Sequence, residues 1–153
     1  MTQLTAHFSL EELTTTEIRS ADNHCPADLM AELLETALMM ERIRSALSAA
    51  HGGDVAIFVT SGFRSPAVNA RVGGSATSDH MKAAAVDFKA PEFGTPYRIA
   101  QFLAGKMDAL GIGQVIHEYG RWVHVSRKPP DKILNRAITV SYAGTQAGIV
   151  EVA

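Results

Sequence analysis

The stretch "SDHMKAAAVDF", residues Ser78–Phe88, places His80 and Asp87 on either side of a run of small residues. Its second half is apolar, which is typical of a strand that enters a hydrophobic core. A carboxylate buried there, such as that of Asp87, needs a partner such as a cation. A second stretch, "WVHVS" at Trp122–Ser126, sets His124 in an alternating strand pattern that directs its side chain to one face of a sheet.

Two imidazoles and one carboxylate are a common ligand set for a catalytic Zn²⁺, because three protein ligands leave a fourth position open for water. The alanines between His80 and Asp87 would let the chain approach a metal without steric conflict. Spacing alone leaves two interpretations open. One is a zinc site made of His80, Asp87 and His124; the other is a hydrogen-bonded core histidine with a surface acid.

The segments upstream predict helices. "FSLEEL" has Ser9 followed three residues later by Glu12, the capping-box pattern of a short helix. A long amphipathic helix is predicted from Pro26 to a stop at "HGG", residues 51–53, because its apolar residues recur with a period near 3.6. These apolar positions are Leu29, Leu33, Leu34, Ala37, Leu38, Ile43 and Leu47.

The remaining segments predict five strands and two more helices. "VAIFVTSGFRS", residues 55–65, is predicted to be a buried strand, and "AAAVDFKA" a second one. "IGQVIHEY", "RWVHVS" and "AITVSYA" predict three further strands, the first two meeting at a turn that contains Gly120. "PAVNARV" and "TPYRIAQFLAGKMDALG" predict helices. The prediction is an α+β fold, a small, mainly antiparallel sheet flanked by helices, in a single domain over residues 1–153.

Composition excludes several classes of partner. The 153 residues are 46% hydrophobic and 20% charged, with a net charge of -2 and no basic block, so we expect no nucleic-acid partner. No apolar run approaches the ~18 residues of a membrane span. The single cysteine, Cys25, cannot form an internal disulfide. The first residues lack the pattern of a signal peptide, so we expect synthesis in the cytoplasm.

The set of motifs, in its order along the chain, is far more specific to a protein family than any single motif. "SGFRSPAVNARVGGSATSDHMKAAAVDF" followed by "WVHVS" closely resembles the zinc D-Ala-D-Ala carboxypeptidase family, peptidoglycan peptidases that include phage endolysins. The similarity is greatest to small, single-domain members from bacteriophages and prophages. It implies the fold shared with the Hedgehog signalling domain, a small antiparallel sheet that carries a zinc site. It also implies Zn²⁺ as the cofactor, with His80, Asp87 and His124 as its ligands.

The resemblance extends to two further residues. Arg64 in "SGFRS" matches an arginine that in the family binds or polarises the substrate, as a guanidinium suits a carboxylate or an oxyanion. Ser78 matches a serine that binds substrate or supports the site by hydrogen bonding, although a plain turn serine is an open alternative. One position departs from the family pattern. Ala83 stands where members usually have glycine, which would be costly if its backbone is left-handed.

The motifs indicate the catalytic base less directly than they indicate the metal ligands. Many family members place it two or three residues before the last histidine, where this chain has Trp122 and Arg121, and neither can serve. Small phage-type members have a glutamate just before the hairpin turn, which implies Glu118. If that turn has three residues, Glu118 pairs with Trp122 and shares a sheet face with His124. A two-residue turn would instead set His117 opposite His124 and make His117 the base.

The resemblance therefore implies a zinc peptidase that cuts a peptide bond at a D-amino acid in the stem peptide of the bacterial cell wall. Carboxypeptidase and endopeptidase cleavage both remain open. Two alternatives are a non-catalytic cell-wall-binding or phage structural module, and a relative with a structural zinc closed by a fourth protein ligand. We expect a monomer that reaches the periplasmic or external cell wall after release, or as part of a phage particle.

Overall fold

A six-stranded sheet forms the centre of the computed structural model, which describes residues 1–127 and 136–152. Its strands lie in the order β1-β2-β4-β3-β5-β6. All neighbouring pairs are antiparallel except β3 and β5, which are parallel. The strands are β1 (Phe58–Ser61), β2 (Ala85–Lys89), β3 (Ile112–Glu118), β4 (Trp122–Arg127), β5 (Arg136–Ser141) and β6 (Gly144–Ala147).

Helices and short 3-10 turns flank this sheet, which confirms the predicted α+β class. The 3-10 turns cover Ala27–Leu29 and Asp79–Lys82. In the part of the chain that the structure describes, none of the helices has the length and apolar character needed to cross a membrane. The helices are α1 (Leu10–Leu13), α2 (Met30–His51), α3 (Pro66–Arg71), α4 (Pro96–Ala104) and α5 (Met107–Leu110).

Two predicted helix ends, the start of α1 and the end of α2, are confirmed by their caps, whereas the long helix predicted from Pro26 begins as the 3-10 turn Ala27–Leu29 and is α-helical only from Met30. At α1, the Ser9 hydroxyl accepts a hydrogen bond from the Glu12 amide at 3.1 Å, and the Glu12 carboxylate accepts one from the Ser9 amide at 2.8 Å. This reciprocal pair satisfies two backbone donors that the helix leaves unpaired. α2 ends at Gly52, whose φ of 84° is the left-handed conformation that glycine adopts without penalty.

The buried face of α2 differs from the predicted one. Leu34 and Leu38, expected in the core, are each 40% exposed. Thr36 is buried instead, because its hydroxyl donates a hydrogen bond of 2.7 Å to the carbonyl of Ala83, which satisfies the polar group. The other buried residues of α2 share one core with side chains from the sheet: Leu33, Ala37, Met39, Met40, Ile43 and Leu47.

Two element predictions were wrong in extent or environment, and one strand was missed. The strand predicted over 55–65 is shorter, and β1 is an edge strand with Phe58 58% exposed, because its alternate side chains point to a face of the sheet that is open to solvent. The helix predicted from "TPYRIAQFLAGKMDALG" is two helices, α4 and α5, separated at Gly105. β6 was not predicted at all; it pairs with β5 and forms the other edge of the sheet.

Candidate metal centre

Three side chains from separate parts of the chain meet on one face of the sheet. His80 comes from the 3-10 turn Asp79–Lys82, Asp87 from β2 and His124 from β4. Asp87 and His124 are direct partners in the antiparallel pairing of β2 and β4, so their side chains share a face. The three form a group whose ligand atoms can hold a metal ion.

The distances within the group fit a zinc ion. The Nε2 atom of His80 lies 3.3 Å from Oδ1 of Asp87 and 3.2 Å from Nδ1 of His124, and the latter two atoms are 2.9 Å apart. Ligand atoms bound at about 2.0–2.1 Å in a tetrahedral zinc site lie roughly 3.3 Å from one another. The structure therefore holds three ligand atoms at nearly the spacing that zinc requires.

Hydrogen bonds outside the group orient both imidazoles. Nδ1 of His80 lies 2.7 Å from the carbonyl oxygen of Gly62. A carbonyl only accepts, so Nδ1 carries the hydrogen and Nε2 presents its lone pair to the group. Nε2 of His124 lies 2.8 Å from Oγ of Ser126, and with the serine as acceptor the lone pair of His124 sits on Nδ1. Two imidazole lone pairs and a carboxylate then converge, which is the donor set of a cation site.

The turn that carries His80 is held from two sides. The Ser78 hydroxyl accepts a hydrogen bond from the His80 amide at 3.2 Å, so Ser78 caps the turn. The turn ends at Ala83, which is buried with a φ of 57°. This is the left-handed conformation in which a β-carbon costs about 1–2 kcal/mol, so the departure from glycine does introduce strain. The hydrogen bond from Thr36 to the Ala83 carbonyl holds the residue in place.

Residue 62, whose carbonyl accepts the hydrogen bond from His80, must be glycine because the chain passes very close to the end of α1. A β-carbon at this position would lie 2.2 Å from the carbonyl oxygen of Leu13, at the end of α1. The next amide, that of Phe63, donates to the same oxygen at 2.7 Å. The segment between β1 and α3 is thus packed directly against the N-terminal helix, which fixes the acceptor for His80.

The charges within the group favour an ionised Asp87 beside a protonated or metal-bound imidazole. Burial alone would raise the pKa of Asp87, but the charge of His80 and hydrogen bonds from His124 and His80 outweigh it and lower that pKa. Burial disfavours a charged His124, yet its hydrogen bond to Asp87 and the charges of Asp87 and Glu118 raise its pKa. Without a metal, the anionic Asp87 therefore favours the protonated form of His124.

Glu118 faces the same group from β3. It pairs with Trp122, and Tyr119 to Arg121 form a three-residue turn, with φ values of 54° at Tyr119 and 69° at Gly120. One carboxylate oxygen, Oε1, lies 3.8 Å from Nδ1 of His124. Burial, followed by the negative charge of Asp87, raises the pKa of Glu118, while the positive charges of His124 and Arg64 act in the opposite direction.

His117, the alternative base, does not reach the group. It pairs with Val123, one residue out of phase with His124, so its side chain lies on the other face of the sheet. Its ring is buried, with Nδ1 2.9 Å from the carbonyl oxygen of Val150. A structural role in attaching the C-terminal segment accounts for this residue.

Arg64 lies in the cleft over the three ligands, whose lining also includes Ser78 and Glu118. Its amide donates to the carbonyl of His80 at 3.1 Å. Its Nε is buried and, among the described residues, has no hydrogen-bond partner. Burial lowers the pKa of the guanidinium, against the opposing effect of the Asp87 and Glu118 carboxylates. The cleft therefore contains a desolvated cation with hydrogen-bonding capacity to spare.

A comparison of the sequence with protein-family models identifies the family of the chain. Residues 6–126 match the family described as peptidase M15. The chain belongs to the M15 family of zinc D-Ala-D-Ala carboxypeptidases. M15 peptidases are zinc-dependent metallopeptidases, and His80, Asp87 and His124 provide the group that can hold the ion. The search of curated proteins found no match to the chain.

Three supporting residues of this M15 peptidase were not predicted from the sequence. Ser126 had a signal, because the alternation in "WVHVS" places it on the face of His124. Gly62 had a weaker one, as a glycine directly after a strand. Thr36 had none, since a threonine inside an amphipathic helix gives no indication of a carbonyl 47 positions away in sequence.

Proposed function

We propose that this M15 peptidase is a zinc-dependent hydrolase that cleaves a peptide bond at a D-amino acid in the stem peptide of peptidoglycan, with Glu118 as its general base. The observation that supports this best is the position of Glu118, whose Oε1 lies 3.8 Å from Nδ1 of His124. A carboxylate at that distance from a ligand atom is within reach of a water molecule held at the fourth position of the site.

The proposed reaction uses the raised pKa of Glu118. Bound zinc would polarise the scissile carbonyl and lower the pKa of the attacking water. Glu118 takes a proton from that water as its oxygen forms a bond to the carbonyl carbon. It then delivers the proton to the nitrogen as the C–N bond breaks, leaving an amine and a carboxylic acid, which loses its own proton to solvent. A carboxyl group whose pKa is raised serves both steps better, because the base must also act as the acid.

Arg64 is proposed to hold the oxygen side of the substrate. Its Nε has no partner among the described residues, and burial has removed much of its water. A desolvated guanidinium forms strong, directional hydrogen bonds with a carboxylate or a developing oxyanion. Ser78 lies in the same cleft but already caps the turn of His80, so its proposed contribution to substrate binding is secondary.

The described residues favour an open, catalytic site over a structural one. A structural zinc is closed by a fourth protein ligand. Within residues 1–127 and 136–152, the group consists of His80, Asp87 and His124, with no fourth member. The three side chains line the cleft, so a metal ion held by them would be accessible to a water molecule and a substrate. The proposed place of action is the cell wall, reached after release or within a phage particle, and the proposed active form is a monomer.

The decisive experiment is digestion of purified peptidoglycan and of free stem peptides with the zinc-loaded protein, followed by mass spectrometry of the products. The product masses identify the bond, and separate D-Ala-D-Ala carboxypeptidase activity from cleavage at L-Ala-D-Glu or at a cross-link. Glu118→Gln, loaded with zinc in parallel, is the matched control. Zinc binding by wild type without any new products would favour a non-catalytic cell-wall module and contradict the proposal.

A further inference from the structure

An aromatic row leads out of the cleft beside Glu118. The ring of Trp122 lies 5.7 Å from that of Tyr119, and Tyr119 lies 4.8 Å from Tyr142, measured between ring centroids. Trp122 and Tyr119 line the cleft. Tyr142, in the turn between β5 and β6, is 86% exposed. The row, made of Trp122, Tyr119 and Tyr142, is therefore continuous with the proposed active site and ends at the surface.

Tyr119 occupies its place at a conformational cost. Its φ of 54° is left-handed, a region that side chains with a β-carbon rarely adopt. Its amide donates a hydrogen bond of 2.8 Å to the carbonyl of Val140 at the end of β5, which ties the turn to the β5–β6 hairpin. Glycine or asparagine would fit this backbone better, and strain of this kind is concentrated at binding sites. The strained backbone places the aromatic ring of Tyr119 between those of Trp122 and Tyr142.

The hairpin beside the row has an unusual surface. Residues 137–148, "AITVSYAGTQAG", carry no charged side chain. All four residues of β6 are exposed, and β6 is an edge of the sheet. Edge strands are normally protected by charges, lysine above all. Here the exposed polar side chains are uncharged, the hydroxyl of Thr145 and the amide of Gln146, next to the exposed ring of Tyr142.

We propose that the aromatic row and the β5–β6 hairpin bind the glycan strand to which the stem peptide is attached. The flat C–H faces of pyranose rings pack against exposed aromatic rings, and neutral hydroxyl and amide groups match sugar hydroxyls and N-acetyl groups. An anionic peptide would instead be drawn to the cation of Arg64 in the cleft. Trp122 and Tyr119 lie within residues 6–126, whereas Tyr142 and the hairpin lie outside the region matched by the family model.

This inference rests on the proposed function for the identity of the substrate, but its binding test does not require catalysis. The probe is chitotetraose, a peptide-free β-1,4-linked tetramer of N-acetylglucosamine, titrated into metal-free protein by calorimetry or NMR. We expect wild type to bind, Tyr142→Ala to raise Kd about tenfold through loss of the aromatic contact, and Tyr142→Phe to keep most of the affinity. Phe58→Ala is the matched control, an exposed ring on β1 at the opposite edge of the sheet, and should leave Kd unchanged.

The outcomes separate the two proposals. Absence of chitotetraose binding by wild type, or equal binding by Tyr142→Ala, would overturn the glycan site whatever the peptidase does. Equal loss in Phe58→Ala and Tyr142→Ala would overturn it too, because the effect would not be local. A concentration-dependent dimer that Tyr142→Ala disrupts, without sugar binding, would assign the hairpin to self-association instead.

A second readout uses the enzyme at work. If the glycan site exists, Tyr142→Ala should lower hydrolysis of whole peptidoglycan several-fold more than hydrolysis of a free stem peptide, and Tyr142→Phe should restore the ratio. An unchanged ratio would contradict a role for the glycan site in catalysis on the polymer. Failure of wild type to cut either substrate would count against the peptidase proposal alone, since sugar binding is measured separately.

Discussion

Glu118 and Trp122 are direct cross-strand partners at the ends of β3 and β4, and this pairing places the Glu118 carboxylate on the face of His124. Because side chains alternate along a strand, a turn shorter by one residue would reverse the assignment and present His117 instead. The three-residue turn from Tyr119 to Arg121 thus determines which titratable group reaches the metal-binding face.

Replacement of Glu118 tests that geometry. Glu118→Gln is expected to lower kcat by about 10²–10⁴-fold, the range for a lost general base, while zinc content stays at the wild-type level. His117→Gln should reduce stability, since the ring is buried against Val150, and should leave kcat of the folded protein near wild type. Hydrolysis rates and metal analysis of both variants check this. A larger loss of kcat in His117→Gln than in Glu118→Gln would contradict the assignment.

The raised pKa of Glu118 predicts a pH-dependent cost in stability for the metal-free protein. A carboxyl group whose pKa is higher in the folded than in the unfolded state costs nothing while both are protonated, below its ordinary value of 4.5. As pH rises through the folded pKa, the ionised form destabilises the fold. Glu118→Gln should therefore increase the free energy of unfolding at pH 7 and have little effect well below 4.5. Urea denaturation in the presence of a chelator measures the free energy of unfolding at each pH. An increase of the same size at both pH values would refute the pKa shift.

Removal of the outer partner of His124 should weaken metal binding. Ser126→Ala deletes the acceptor 2.8 Å from Nε2 of His124, and loss of such a partner typically costs about 10–100-fold in metal affinity. Ser45→Ala, on the exposed side of α2, is the control and should leave affinity unchanged. Competition with a chromogenic zinc chelator gives the Kd of each. Equal affinities in the two variants would show that Ser126 does not orient the imidazole.

The close approach at Gly62 predicts a strong effect of a single methyl group. In Gly62→Ala the new β-carbon would meet the Leu13 carbonyl at 2.2 Å, so the backbone must move. We expect a loss of about 1–3 kcal/mol in the free energy of unfolding, as for overpacked cores. Weaker zinc binding should accompany it, since the Gly62 carbonyl orients His80. Gly53→Ala, where a β-carbon meets nothing within 4 Å, is the matched control. Thermal and chemical denaturation measure the stability of both variants. An equal loss in Gly62→Ala and Gly53→Ala would contradict the prediction.

Much of the architecture is encoded locally and could be predicted from the sequence. The Ser9–Glu12 capping box and the end of α2 at Gly52 depend on residues within one turn of one another, so the sequence pattern was sufficient. The lengths of β1 and of the helix that divides into α4 and α5 were wrong, because neighbouring elements decide where a strand stops pairing or a helix breaks. β6 was missed because "GTQA" has no apolar alternation and pairs only because β5 offers an edge.

The sequence by itself determined the ligand types, their order along the chain and the family. Tertiary structure decided how they work together. Pairing of β2 with β4 brings Asp87 and His124 to the spacing of a zinc site, although 36 residues separate them in the chain. The carbonyl of Gly62 then sets which nitrogen of His80 faces Asp87 and His124, and the turn after Glu118 sets which titratable side chain lies on their face of the sheet. Local patterns specify which groups are present, whereas distances between groups far apart in sequence depend on strand register and packing, which are fixed only when the whole sheet forms.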